Sequence, residues 1–262
     1  MRKKGEGNFY RRAIVRPPAP NFKDGITTAN LGAPNYHLAL KQHQKYCDVL
    51  RRLGIKLIEM PPDSKHPDAP FVEDTAVVVG KCAVVNHMGD RRRRGEQEPV
   101  KKILQRYFKL YQIKSPGRLD GGDVLKIKDH FFIGQSKRTN REGAKQLSRI
   151  VRKEGFDVSL VPVKSVLHLK TGVSYAGNHT ILLNKEFANQ PAFKDYHKII
   201  TLKKENHAAN CLNINGALVI LKGFTDTKKK IIDRKLSEKI IELDMSEYQK
   251  MDGSLTCLSI LF

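Results

Sequence analysis

At 262 residues and 40% hydrophobic content the chain can bury a sizeable core, and no long polar, Gly/Ser-rich or Pro-rich stretch divides it, so one domain over residues 1–262 is expected. No apolar run approaches the roughly 20 residues needed to span a bilayer, and the N-terminal MRKKGEGNFYRRAIVR lacks the apolar region of a signal peptide; no membrane partner and a cytoplasmic protein are therefore expected. The net charge of +21 attracts polyanions, yet outside Arg91–Arg94 and Lys228–Lys230 it is spread along the chain without an aromatic-interleaved RNA-binding motif, so most of it reads as solvated surface and nucleic acid as a non-specific partner at most.

In chain order, a helix is expected over residues 36–53, followed by a polar turn, Phe71–Thr75 (FVEDT), and paired strands Ala76–Val79 and Ala83–Val85. Val100, Ile103, Leu104, Tyr107 and Phe108 hold the spacing of one apolar helical face and predict a helix over 97–111. The turn Leu119–Asp123 (LDGGD) leads into Val124–Ile127 with Phe131–Ile133. A helix carrying Ala144, Leu147, Ile150 and Val151 then ends at Gly155. His168–Gly172 (HLKTG) opens the next pair, Val173–Tyr175 with Ile181–Leu183, and Pro191 limits residues 187–197 to a weak, short helix. After Glu205–Asn210 (ENHAAN), Cys211–Ile214 and Ala217–Leu221 are joined by Asn215-Gly216, a strong hairpin dipeptide. Ile231, Ile232, Leu236 and Ile240 suggest a further helix, and Asp252–Cys257 (DGSLTC) is a fifth polar turn.

Turns recurring every 40 to 50 residues or so mark a repeat. The unit reads strand, strand, helix, strand. Five such units in a ring predict an α/β propeller of ββαβ modules, with the turns gathered at one central end.

The chemistry then lies on the turns, which bring an acid, a histidine and a cysteine together. Cys47, Cys82, Cys211 and Cys257 are far apart with no zinc spacing, so free thiols are expected rather than a disulfide framework or metal site. A thiolate needs a nearby cation or base to be populated near neutral pH. Alone, each residue has a plain explanation: a core or surface His, a small buried Cys, acids that cap turns. Their placement on corresponding turns of a repeat fits a Cys/His nucleophilic site.

FVEDTAVV, LDGGDVL, FIGQSKRTNREGA, HLKTG, ANCLN and DGSLTC resemble, in order and from about residue 10 to the C-terminus, segments of the dimethylarginine dimethylaminohydrolase family. That family sits within the guanidino-modifying superfamily of arginine deiminases and amidinotransferases. The resemblance implies the five-bladed pentein fold, no metal or organic cofactor, a small methylarginine substrate, and a monomer or homodimer. It implies Cys257 as nucleophile and His168 as acid, then base, with Asp120 and Asp74 holding the guanidinium and Glu73 fixing that geometry. Arg138 and, of the run Arg91–Arg94, Arg94 match the clamp on the substrate carboxylate, Asp68 lies near the amine, Phe71 forms a wall, and Gly25–Gly32 matches a lid. For Arg94 the alternative is a solvated charge.

Lys170 stands where deiminases and amidinotransferases carry an acid that grips the second guanidinium nitrogen. A methylated nitrogen would leave such an acid with unmet acceptors, so Lys170 argues for methylarginine over arginine. The alternatives are the same cysteine chemistry on free arginine or another guanidino or ureido compound, and a non-catalytic polyanion-binding protein.

Overall fold

The computed structural model describes residues 9–262. β1 (Arg12–Val15) leads through α1 (Tyr36–Arg52) to β2 (Lys56–Glu59), and α1 starts where the Asn35 side chain accepts the Leu38 N–H at 2.9 Å. The second blade holds β3 (Ala76–Val79), β4 (Cys82–Val85), α2 (Gln97–Leu104) and β5 (Lys109–Gln112); the third holds β6 (Val124–Ile127), β7 (His130–Gln135), α3 (Arg141–Lys153) and β8 (Asp157–Pro162). In the fourth, the one-turn α4 (Leu169–Gly172) precedes β9 (Val173–Gly177), β10 (Thr180–Leu183) and β11 (His197–Ile200). The fifth comprises β12 (Leu212–Ile214), β13 (Ala217–Leu221), α5 (Thr225–Asp233) and β14 (Lys239–Leu243). Finally α6 (Ser246–Gln249) leads to β15 (Ile260–Leu261), which pairs antiparallel with β1 and completes the first blade.

Every blade is a three-stranded sheet with one antiparallel and one parallel pairing. The ring closes because alternate side chains of the central strands enter different cores. In β1, Ala13 and Val15 join the cluster shared with the fifth blade, whereas Ile14 joins the one shared with the second. In β7, Phe131 and Ile133 face the second blade and Phe132 the fourth; in β13, Val219 faces the first and Leu218 the fourth. A period of two therefore buries both sheet faces, and each fully buried aliphatic side chain contributes about 1.5–3 kcal/mol. This two-sided burial explains the near-continuous apolar runs.

Three sequence expectations shift. The helix predicted over 97–111 ends at Leu104: Tyr107 and Phe108 continue the spacing, but both pack against Phe262 and the chain turns into β5. Residues 187–197 form no α-helix; two short 3-10 turns, Lys185–Phe187 and Pro191–Phe193, seat Phe187 and Phe193 in the core. The stretch around Ile231 is helical only to Asp233, and Ile240 lies on β14. All four cysteines are free thiols. Among the described residues no helix is long and apolar enough to cross a membrane.

Candidate active site

The polar turns meet at the propeller axis because each precedes the innermost strand of a blade. LDGGD crosses FVEDT so closely that a Cβ on Gly121 would stand 2.0 Å from the Glu73 carbonyl oxygen, and one on Gly122 would stand 2.8 Å from the His168 ring. Only glycine lets these backbones touch. The Gly122 N–H donates to Asp74 Oδ1 at 2.9 Å.

His168 precedes α4, its N–H donating to Thr171 Oγ1 at 3.3 Å and the next N–H, of Leu169, to Asp123 Oδ1 at 2.9 Å. Its Nε2 lies 3.1 Å from Asp120 Oδ2 and 3.9 Å from Asp74 Oδ1. Burial opposes charge on the ring, but Asp74, the Asp120 hydrogen bond and Asp123 outweigh it and raise the imidazole to about 9. His168 is thus an imidazolium near neutral pH. Burial likewise opposes charge on Asp74, yet His168 and Arg93 hold it below the usual carboxylate range.

Cys257 follows DGSLT and shares a small cavity of about 20 Å³ with His168, Asp74, Asp68, Phe71 and Arg138. Burial, then the Glu73 and Asp74 charges, push its thiol up to about 12. The residues Ile26, Met251 and Asp252 complete the lining. The segment expected to be a lid lies across this opening: Ile26 N–H donates to both Asp68 oxygens, at 3.1 and 3.0 Å, and the Thr28 N–H and hydroxyl donate to Asp252 Oδ2 at 2.5 and 2.9 Å.

The remaining expected residues occupy different positions. Asp120 is fully buried and does not line the cavity; its oxygens take the Gly89 N–H at 2.7 Å, Arg138 Nη1 at 3.3 Å and the His168 ring. It stands behind the imidazole, which differs from the guanidinium contact expected of it. Glu73 also faces away: Lys170 Nζ lies 2.5 Å from its Oε1 and the Thr256 hydroxyl 3.1 Å from its Oε2. Of the arginine run, Arg93 reaches the cavity. It spends its donors on Asp74 (2.6 Å), Glu96 and the carbonyls of Asp68 and Phe71, whereas Arg94 makes one long bond, 3.5 Å, to the Met88 carbonyl. Sequence reasoning missed the roles of Arg93, Asp123 and the Glu73–Lys170 pair. Glu96, three residues after Arg93, was the one local signal of a buried pair.

Ligand atoms of Asp74, Asp120 and His168 lie within 4.8 Å of one another, close enough to approach a cation. Both carboxylates are already satisfied by Arg93, Arg138, backbone N–H groups and the His168 ring, and we assign no metal ligands here.

Five ββαβ blades around a turn-borne Cys, His and carboxylates define the pentein class. Residues 32–260 match the profile of "N,N dimethylarginine dimethylhydrolase, eukaryotic". The chain is 38% identical to the N(G),N(G)-dimethylarginine dimethylaminohydrolase of Pseudomonas aeruginosa over 97% of its own length and 100% of that protein. The Streptomyces coelicolor protein of the same name is 31% identical, over 95% and 96%. A Pseudomonas aeruginosa structure, a cysteine-to-serine mutant complexed with citrulline, superposes with a TM-score of 0.94 at 37% identity, covering 97% of this chain and 100% of that one. The N-terminal domain of ArgZ, a cyanobacterial arginine dihydrolase, shares the fold with a TM-score of 0.85 at 17% identity, over 95% and 96%. The chain belongs to the dimethylarginine dimethylaminohydrolase family.

Proposed function

We propose that the protein hydrolyses asymmetric dimethylarginine or monomethylarginine to citrulline and dimethylamine or methylamine through an S-alkylthiouronium intermediate on Cys257. One observation carries this reading: Cys257, His168 and Asp74 line one small cavity, in a chain at least 31% identical to two bacterial proteins named dimethylarginine dimethylaminohydrolase.

The resting thiol is neutral, and a guanidinium seated against Asp74 brings the positive charge that offsets burial and the neighbouring acids, favouring the thiolate only when substrate is present. Sγ attacks the guanidinium carbon. The His168 imidazolium protonates the departing amine, and the neutral ring then takes a proton from the water that hydrolyses the thiouronium. Asp120 keeps the ring oriented and basic enough to be protonated at the start. Asp68 suits the substrate amine, Phe71 the alkyl chain, and Arg138 with Arg94 the carboxylate. With its donors committed, Arg93 braces Asp74 instead of gripping substrate. Lys170, committed to Glu73, places no acceptor against the methyl groups. A cytoplasmic enzyme accords with four unpaired cysteines.

The test is a panel of asymmetric dimethylarginine, monomethylarginine and arginine with citrulline and amine products quantified. Citrulline with dimethylamine or methylamine is expected; ammonia from arginine as the dominant product, or no citrulline, would overturn the reading.

A further inference from the structure

A second and larger cavity, about 390 Å³, lies at the axis, lined by Glu73, Lys170 and Thr256 among others. Phe9, 75% exposed, and Gly80, also exposed, are on its wall, so it reaches the surface. The two cavities share a partition made of neighbours in sequence. Asp74 lines the small cavity and Glu73 the large one; Cys257 lines the small cavity and Thr256 the large one. Glu73 is the ionisable side chain at this partition that the turn-to-turn packing links to both sides. Its carboxylate joins Lys170, 97 residues away, to Thr256, 183 residues away, and both ion-pair side chains are only 12–13% exposed.

The reaction needs somewhere for the thiol proton to go. His168 already carries its proton and must keep it for the leaving amine. Asp74 is paired with Arg93 and Asp68 with the Ile26 N–H. Beneath the lid tethered to Asp252 the small cavity has room for about one water, so the lid and lining must shift to admit substrate, which then fills the front of the site. With substrate filling the front of the site, the larger cavity across the partition is the solvent-connected space left beside the turn that carries Cys257.

Resting on the hydrolase reading, we propose that Glu73 is the proton relay of this site: its carboxylate takes the proton released by Cys257 and hands it to solvent in the larger cavity, while Lys170 and Thr256 hold it in place. In this step the S–H bond breaks, an O–H bond forms on Glu73, the sulfur electron pair forms the S–C bond to the guanidinium carbon, and the carbon's C=N π pair moves onto nitrogen to give the tetrahedral adduct. Glu73 then returns the proton to water, and no oxidant or reductant is involved. The charged and titratable groups acting on Glu73 are Lys170 from α4, Asp74 from its own turn, Cys257 from the facing turn and Tyr46 from α1, with Lys126, Tyr175 and Cys211 on the same cavity wall. Burial, against the opposing pull of Lys170, raises Glu73 to about 7, a range suited to both accepting and releasing a proton.

The relay makes two measurements on Glu73→Gln move in opposite directions. Without substrate, removing the Glu73 charge should let iodoacetamide alkylate Cys257 faster, by up to roughly tenfold at pH 8, because that charge holds the thiol up. With asymmetric dimethylarginine, kcat/KM should fall by roughly 100-fold because the acceptor is gone. In Glu73→Ala, formate or acetate entering the larger cavity should restore at least part of the lost turnover in proportion to its concentration, a response that a structural defect would not give. Active wild type with an unchanged Glu73→Gln, loss of alkylation and turnover together, or absence of carboxylate rescue in a folded Glu73→Ala would each overturn the relay alone. Wild type that releases no citrulline would overturn the hydrolase reading beneath it.

Discussion

Cys211 and Cys257 sit at the ends of successive polar turns in neighbouring parts of the ring, and burial pushes both thiols up to about 12. Their surroundings differ. The Cys211 sulfur lies 3.0 Å from the Ser174 hydroxyl and 3.7 Å from the Tyr175 carbonyl, with the residue 2% exposed and no imidazole against it. Cys211 lines the larger cavity, whereas Cys257 borders the small one with His168 and Asp74, and its thiol is raised partly by acids whose effect an arriving cation can cancel. A nucleophile is thus distinguished by what can change around it on binding, more than by its resting acidity.

The comparison breaks most sharply at Cys257 itself. Cys257→Ser should lower kcat/KM for asymmetric dimethylarginine by at least about 1,000-fold with the melting temperature nearly unchanged; retention of substantial turnover would place the nucleophile elsewhere. Next in size is the brace behind Asp74. Arg93→Met leaves Asp74 and Glu96 buried without their cation, so denaturant unfolding should show a loss of about 3–5 kcal/mol, and a loss near zero would contradict the pairing seen here.

A smaller effect concerns pH. Because His168 is raised from its usual 6.5 to about 9, its pairing contributes stability that is full below pH 6.5 and is lost as pH rises through about 9. An NMR titration of the ring should therefore report a midpoint near 9, and Asp120→Asn should move it towards 6.5 while flattening the fall in stability across that window. A wild-type midpoint at 6.5 would remove the imidazolium from the mechanism. Smallest of all, Cys211→Ala should leave kcat/KM within about threefold of wild type, with a stability change of about 1 kcal/mol from the lost contact to Ser174.

Much of this comparison was readable from the amino-acid order. Each blade's inner hairpin carries residues that alternate between two cores, and the turns carry Asp74, His168 and Cys257, so strand pairs and site residues left a local pattern. The parallel third strands left less: β2, β5 and the exposed parts of β14 are short and half-buried, with polar residues at their ends, and are fixed by pairing to a central strand far back in sequence. Tyr107 and Phe108 fit a helical face but serve a contact with Phe262, which periodicity cannot foresee. Within the site, four consecutive arginines look alike as letters. Only the fold buries Arg93 and leaves Arg92 69% exposed. The acid of ENHAAN, Glu205, accepts the Asp226 and Thr227 N–H groups at the start of α5, a contact between segments that the turn alone does not reveal. The Glu73–Lys170 pair spans two blades, so neither turn alone reveals it.

The central claim is that the sulfur beside His168 and Asp74, and not that of Cys211 on the wall of the larger cavity, bonds to the substrate carbon. Rapid acid quench during turnover of asymmetric dimethylarginine, followed by peptide mass spectrometry, tests it directly. The account predicts a thiouronium adduct on the peptide containing Cys257 and none on that containing Cys211; citrulline formation with no adduct on Cys257 at any quench time, or an adduct on Cys211, would contradict it.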